Sequence, residues 1–412
     1  TTPSANPPSV AGATVSLSNF AAGPALRAGD EFYLIDTGEN GGPELAAGDP
    51  ANNRARARQG LTREYEFIVD TNQTHDASAL NSRRYLVARL ASSGPAPEAR
   101  ILSEGRAASL AFLVHGASWL PDHSYQQADL ALQADDAWTP FGGVDGAWLR
   151  ADSGSDIDIS ATNIIAGAAL KRTGDSASLL FGGFFDAGWA SYNISGDFGS
   201  ARQKYLDGEG NLRYYGLGLM SRLRWRKGFR LEGSLRAGFV ENEFRSTDLA
   251  DVDGKYADYD ITVPYVALHA GAGYEWQVTE KSVIDILGRY YWTHQGGTSA
   301  TLDTDEDITF RPDNSHRLRA GARYTYARDE DRYLSFYAGA AYEYEFDHKI
   351  HARNQDGHEL DAPGMTGPTG IGEIGMIIRP RKDSNITLEC GLQGYTGMRR
   401  GISGGIRLGL EF

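Results

Sequence analysis

A strict two-residue alternation limits what this chain can become more than any other feature of its sequence. Between Tyr333 and Phe346 one series reads Leu334, Phe336, Ala338, Ala340, Tyr342, Tyr344, Phe346. The interleaved series reads Ser335, Tyr337, Gly339, Ala341, Glu343, Glu345. Side chains point to opposite faces at every second residue only in an extended strand. The same pattern recurs in Tyr215–Arg226, in Lys281–Thr293 and in the last segment, where Ile402, Ile406, Leu408, Leu410 and Phe412 oppose Ser403, Arg407 and Glu411. About twelve such segments occupy the region from Ala137 to Phe412, each long enough for a tilted membrane strand. Short turns are expected near Gly174-Asp175, Lys227-Gly228, Thr279-Glu280, Asp329-Glu330 and Lys382-Asp383. Long connections are expected near 195–210, 246–260, 296–314 and 347–367.

Alternation alone does not say which face is inside. The second face carries Arg222, Arg224, Arg230, Arg236, Arg289, Arg317, Arg319, Arg323, Glu343, Glu345, Glu373 and Glu389. A wet lumen lets these charges pair, whereas a dry core would not hold them. Trp189, Trp225, Trp276 and Trp292 sit toward segment ends, where interfacial rings belong. An even strand count closes a barrel without the free edges that a bilayer forbids. The fold expected is therefore all-β: a 12-stranded antiparallel transmembrane β-barrel over residues 135–412. Bracing by inward ion pairs is favoured over a channel-tuning role for the arginines.

Two further regions precede the barrel. Residues 97–134 hold a helix: Pro97 suits a first turn, Glu98 suits a helix start, and Leu102, Arg106, Ala107, Leu110, Val114 and Ala117 fall at helical spacing. Its remaining faces are small or apolar, so something should enclose it, and Pro121 should end it. Residues 1–96 carry short strands at 31–36, 65–69 and 84–90, closed by Ser92-Ser93-Gly94-Pro95.

Composition agrees. Of 412 residues, 50 are Gly and 21 are Tyr, which suits turn-rich β structure. No run of about 18 apolar residues occurs, so no membrane-spanning helix is expected. A net charge of -14 argues against a nucleic-acid partner, and the single Cys390 against disulfides or Cys-rich metal sites. Cys390 shares a parity with Ile386, Leu388 and Leu392 and should face lipid as inert packing. Thr1 opens a polar stretch without a signal peptide, so the sequence reads as a mature or excised piece.

The chain resembles the autotransporters of type V secretion. The resemblance rests on Ser103-Glu104-Gly105-Arg106-Ala107-Ala108 with Val114-His115-Gly116-Ala117 as a linker helix. Trp138-Thr139-Pro140-Phe141-Gly142 and Trp148-Leu149-Arg150 resemble a first barrel strand, and Ser315–Tyr324 an eighth. Gly391, Gly394-Tyr395-Thr396-Gly397, Gly401 and terminal Phe412 resemble the final hairpin. The resemblance implies that residues 1–96 are the end of a β-helical, autochaperone-like passenger stump. It implies a helix in the lumen, lined by Arg100, Ser103, Glu104, Gly105 and Arg106, facing lumen charges Arg222, Arg224, Arg289, Arg317, Arg319, Arg323, Glu343, Glu373 and Glu389. Tyr395, Leu408, Leu410 and Phe412 would form a C-terminal signal for the barrel assembly machinery. The implied partners are outer-membrane lipids, that machinery and the chain's own upstream passenger, at the Gram-negative cell surface, where adhesion or virulence would be the passenger's work. No cofactor, metal or catalysis is expected. No Asn lies between Pro97 and Leu120, so self-cleavage by a helix Asn is not expected. A porin-like channel with an N-terminal accessory domain is the alternative.

Several short motifs invite other readings. Gly174-Asp175-Ser176 with Asp313-Asn314-Ser315-His316 spells parts of an esterase, but a periplasmic turn and an external loop cannot share a proton. Gly401-Ile402-Ser403-Gly404-Gly405 lacks the strand–turn–helix setting of a nucleophile elbow. The acidic stretches 251–253 and 303–307 lack a full calcium loop, and His351 and His358 read as surface histidines.

Overall fold

The computed structural model describes residues 16–36, 53–73, 84–119, 138–199, 203–329, 333–379 and 386–410. Twelve strands close into one antiparallel barrel. In chain order they are β5 (Trp138–Asp152), β6 (Asp156–Thr173), β7 (Ala177–Gly196), β8 (Leu206–Trp225), β9 (Phe229–Ala250), β10 (Tyr256–Thr279), β11 (Ser282–Gln295), β14 (Asp313–Ala327), β15 (Leu334–Asp347), β17 (Gly367–Ile378), β18 (Ile386–Gly397) and β19 (Arg399–Leu410). The last strand pairs with the first, from Arg399↔Ala151 to Gly409↔Phe141. Every one of the twelve alternating segments is a barrel strand. Closure leaves no edge with unsatisfied N–H and C=O groups, which is the condition for crossing hydrocarbon with strands.

The outward face is apolar. Leu217 is 70% exposed and Ile374 and Leu392 are each 59% exposed, values that make sense only if lipid covers them. Aromatic side chains on this face recur ten residues apart: Trp138 and Trp148, Tyr215 and Trp225, Phe229 and Phe239, Phe336 and Phe346. At about 3.3 Å per residue and a tilt of about 40°, ten residues rise about 25 Å, the height of an outer-membrane apolar band.

The connections differ at the two ends. One end carries the tight turns 174–176, 226–228 and 280–281. The turn expected at Asp329-Glu330 lies partly, and that at Lys382-Asp383 wholly, outside the described residues. The other end carries the long segments 197–205, 296–312 and 348–366, but two of its connections are also tight: 153–155 and the single residue Met398. The long connection expected at 246–260 is mostly strand. Here β9 and β10 keep pairing beyond the aromatic band, out to Tyr256↔Ala250, leaving only 251–255 as a turn. Within the long segments, β12 (Thr298–Thr301), β13 (Asp307–Phe310) and β16 (Ala352–Asn354) form a small sheet over the mouth.

A short 3-10 turn (Pro97–Arg100) leads into α1 (Ile101–Trp119). The expected stop at Pro121 lies outside the described residues. The N-terminal strands differ from the expected β-helix. β1 (Glu31–Asp36), β2 (Arg54–Gln59), β3 (Arg63–Gln73) and β4 (Arg84–Pro95) form an antiparallel sheet in the order β1-β4-β3-β2. A β-helix would stack parallel coils, whereas here β2–β3 and β3–β4 are antiparallel neighbours around their own apolar core of Tyr65, Phe67, Val69, Leu86, Ala88 and Leu90. Strand composition is the same in both architectures, so only pairing separates them.

The lipid-facing assignment has a depth-dependent consequence. Leu219 lies midway between the Tyr215 and Trp225 rings, and Leu179 lies near the short-turn end. Leu219→Arg should destabilise the barrel by ~2–4 kcal/mol and Leu179→Arg by ~0–1 kcal/mol. Urea unfolding in phospholipid vesicles measures both. Equal costs would place the apolar band elsewhere.

Candidate functional site: an occupied lumen

α1 lies inside the barrel. All nineteen of its residues are buried, so protein surrounds it on every side, as its sparsely charged faces require. It contacts β6 through β11 and β14. Gly105 shows how tight the fit is: a Cβ there would lie 2.6 Å from the Tyr259 hydroxyl and 2.8 Å from Phe244. Glycine disfavours a helix by about 1 kcal/mol relative to alanine. Here it is the residue that lets the wall reach the helix backbone.

The wall holds the helix partly through its backbone. Asn242 Nδ2 donates to the Gly105 carbonyl at 2.8 Å and the Tyr259 hydroxyl to the Leu102 carbonyl at 2.9 Å. Arg236 Nη2 reaches the Leu113 carbonyl at 2.6 Å, and Arg317 Nη2 the Val114 carbonyl at 3.1 Å. Side chains add to this. Gln295 Nε2 donates to Ser109 Oγ at 2.7 Å, and His115 Nε2 lies 2.9 Å from Asp145 Oδ2. Arg106 is fully buried and pairs with an equally buried Asp313 at 3.0 Å, while also donating to the Gly296 carbonyl. The other expected helix residues do different work. Arg100 lies 5.0 Å over the Phe198 ring, Ser103 donates to the Leu360 carbonyl, and Glu104 accepts from Ser153 rather than from a lumen cation.

The expected lumen charges all project inward and they pair. Arg222 and Arg289 share Glu232, at 2.9 and 2.7 Å. Glu343 gathers Arg319 at 2.7 Å, Arg399 at 3.1 Å and Arg317 at 3.2 Å. Arg323 meets Glu373 at 2.6 Å, and Glu389 takes Arg407 at 3.2 Å and the Tyr337 hydroxyl at 2.9 Å. Arg224 shares this face but sits at the rim, half exposed, against Glu275. Register explains the belt. Arg222↔Glu232, Arg289↔Arg319, Arg319↔Glu343 and Glu389↔Arg407 are direct cross-strand neighbours. Arg289 and Arg319 would repel as neighbours, yet each turns to a different carboxylate. Below the helix, Trp119 packs with Phe141, Ile165, Leu180, Phe184 and Met220 to form an apolar floor.

Sequence reasoning missed Asp186, Glu232, Asp145 and Asp313 as partners. Glu232 could have been found, because it shares the parity of Arg230 and Arg236 on β9. Asp313, expected in or near an external loop, opens β14 and faces inward to Arg106, while His316 lies on the outer face against Tyr290. Ser176 sits in a turn at the opposite end of the barrel. His351 holds Asp361 at 2.9 Å, and among the described residues no cluster of three or more His, Cys, Asp or Glu is arranged to hold a metal. His348, in the loop after β15, is buried without a hydrogen-bond partner on either ring nitrogen, and that burial pushes its imidazole down to about 4. Of the expected C-terminal signal, Leu408 lies on the lipid face. Tyr395 faces the lumen, its hydroxyl donating to Gln393 at 2.6 Å, because it shares the parity of Glu389. Leu410 ends β19, and Phe412 lies outside the described residues.

The Arg106–Asp313 pair gives a direct test of the helix–wall contact. Arg106→Met strands a buried carboxylate and should destabilise the folded barrel by ~3–5 kcal/mol, whereas Arg106→Met with Asp313→Leu should recover most of that loss. Denaturant midpoints of the single and double variants measure it. Additive losses would mean the two side chains do not act as a pair.

Comparison with known proteins supports the same architecture. Among solved structures, the β domain of the Bordetella autotransporter BrkA aligns with 67% of this chain and 100% of its own, at 11% identity and a TM-score of 0.51. The translocator domain of autotransporter NalP from Neisseria meningitidis aligns with 73% of this chain and 97% of its own, at 13% identity and a TM-score of 0.52. At these identities the likeness is one of fold. No curated protein sequence matches the chain. The profile of the autotransporter β-domain matches residues 137–378, more than half of the sequence, and the chain belongs to that family.

Proposed function

We propose that this chain is the translocator unit of an autotransporter. In this reading residues 135–412 insert in the outer membrane, residues 97–134 remain in the lumen as the plug, and residues 1–96 stand at the cell surface as the base of an upstream passenger. The observation that carries the reading is the helix itself: a polar-walled barrel holds one pass of its own chain through carbonyl hydrogen bonds and one buried ion pair. A segment that has travelled through a pore and stopped there leaves its N-terminal side at one mouth and its C-terminal side at the other. The β1–β4 sheet lies at the long-loop mouth, joined to the loops by Arg63–Asp356 and Arg58–Ala250 contacts. In outer-membrane barrels the long loops are external.

The lumen charges suit both stages. While the pore holds an unfolded chain, paired arginines and carboxylates keep the wall wet and offer no large apolar surface for the chain to stick to. Once the helix seats, the same arginines supply donors to its carbonyls. Leu408, Leu410 and Phe412 form the proposed signal to the assembly machinery, Tyr395 contributing from the inner face of the final hairpin. No step of chemistry is assigned. The porin-like alternative needs an open lumen, and α1 with its apolar floor fills this one.

A tag placed before Thr1, behind a secretory signal in a Gram-negative host, should be removed from intact cells by external protease while the barrel stays in the membrane. A protected tag on an inserted barrel would put the N-terminal unit in the periplasm and favour the accessory-domain channel.

A further inference from the structure

Glu306 stands apart from the lumen ion pairs. It lies between β12 and β13 over the mouth, and its side chain is buried. It is set there by Asp305, whose φ of 63° is the only positive value of a non-glycine among the described residues. Four donors converge on its carboxylate. Oε2 accepts from the Leu61 N–H at 2.7 Å and from Thr304 Oγ1 at 2.8 Å. Oε1 accepts from the Thr62 N–H at 3.1 Å and from Thr62 Oγ1 at 2.7 Å. Three of these four donors belong to the β2–β3 turn of the N-terminal sheet, more than two hundred residues away in sequence.

That turn is shaped as an anion cradle. Gly60 has a φ of 60°, so the amides that follow it point one way, the arrangement in which successive N–H groups hold an anion. A Cβ on Gly60 would come within 2.5 Å of the Glu306 Oε2, so glycine lets the carboxylate close on the turn in this position. Between the two amides, the Leu61 side chain is fully buried. It packs in one continuous cluster with Ile101 and Leu102 of α1 and with Leu302, Ile308 and Phe310 of the loop sheet. The Asn354 amide reaches the Thr62 carbonyl at 3.4 Å from β16. A carboxylate moved out of water is costly unless hydrogen bonds replace its hydration, and this site is completed only when the turn is seated.

We propose that Glu306 and the Gly60–Thr62 cradle form a latch that seats the N-terminal sheet on the loop sheet, with Leu61 as the stopper over the helix. The latch holds the sheet through space, in addition to the peptide link at Ala96. On the translocator reading it would fix the surface unit in place after export, but its chemistry does not depend on which compartment the loops face.

Amide hydrogen exchange of the purified full chain, read at single residues by fragmentation mass spectrometry, tests it. In Glu306→Ala the Leu61 and Thr62 amides should exchange about tenfold faster, while Phe67 and Val69, farther along β3, where the Val69 N–H donates to the Asn53 carbonyl at 2.8 Å, keep their wild-type rates. Glu359→Gln, which alters an exposed pair with Arg353 in the neighbouring 348–366 segment, should change neither. Thr62→Val keeps the turn's shape and removes one donor; it should speed the two amides by about threefold and remains readable if Glu306→Ala fails to assemble. Wild-type rates at Leu61 and Thr62 in a folded Glu306→Ala or Thr62→Val protein would overturn the latch. So would equal acceleration throughout β3, which would mean a general loss of fold. Because the measurement uses purified protein, a failed surface-shaving experiment would leave the latch standing and remove only the orientation.

Discussion

A charge turned into a lumen that a helix fills must find its opposite there, because the helix takes the place of the water that would otherwise solvate it. That requirement organises the barrel. Outward positions answer to lipid and are apolar; inward positions answer to one another. Glu343 drawing three guanidinium groups and Glu232 drawing two are the points where the requirement is met most densely. Removing one member of such a group strands the others, so the belt is a cooperative unit rather than a set of separate bridges.

The helix is tied into the same network. Arg317 serves Glu343 on the wall and the Val114 carbonyl on the helix, and Arg236 serves Asp186 and the Leu113 carbonyl. An arginine has donors enough for both tasks. Seating the helix therefore adds hydrogen bonds to arginines already paired on the wall. Four backbone carbonyls give the wall a hold on the helix that does not depend on its sequence, while Ser103, Glu104, Arg106, Ser109, His115, Ser118 and the bare Cα of Gly105 make the fit specific to this one.

How much of this the sequence shows depends on how local the signal is. Strand alternation spans neighbouring residues, and all twelve barrel strands were legible from it. The inward placement of Arg222, Arg289, Glu343 and Glu389 followed from parity. The same parity would have turned Tyr395 inward and added Glu232, had it been applied there. What pairs with what was not legible, because Arg106–Asp313 and Glu306–Leu61 join residues about two hundred or more positions apart. The N-terminal sheet is the other case. Phe67, Val69, Leu86 and Leu90 announce strands, yet antiparallel pairing and parallel coiling use the same strands and differ only in how the chain returns.

The central claim is that the helix occupies the lumen in the membrane. A cross-link across an uncharged helix–wall contact measures this directly. Ser109→Cys and Gln295→Cys replace side chains that hydrogen-bond at 2.7 Å, in a background where Cys390→Ala removes the only native thiol. A short bifunctional thiol cross-linker, applied to whole outer membranes, should link the two in most molecules, giving a band of altered mobility that neither single cysteine variant shows. Free thiols at both positions in a correctly inserted barrel would mean that the lumen does not hold its helix.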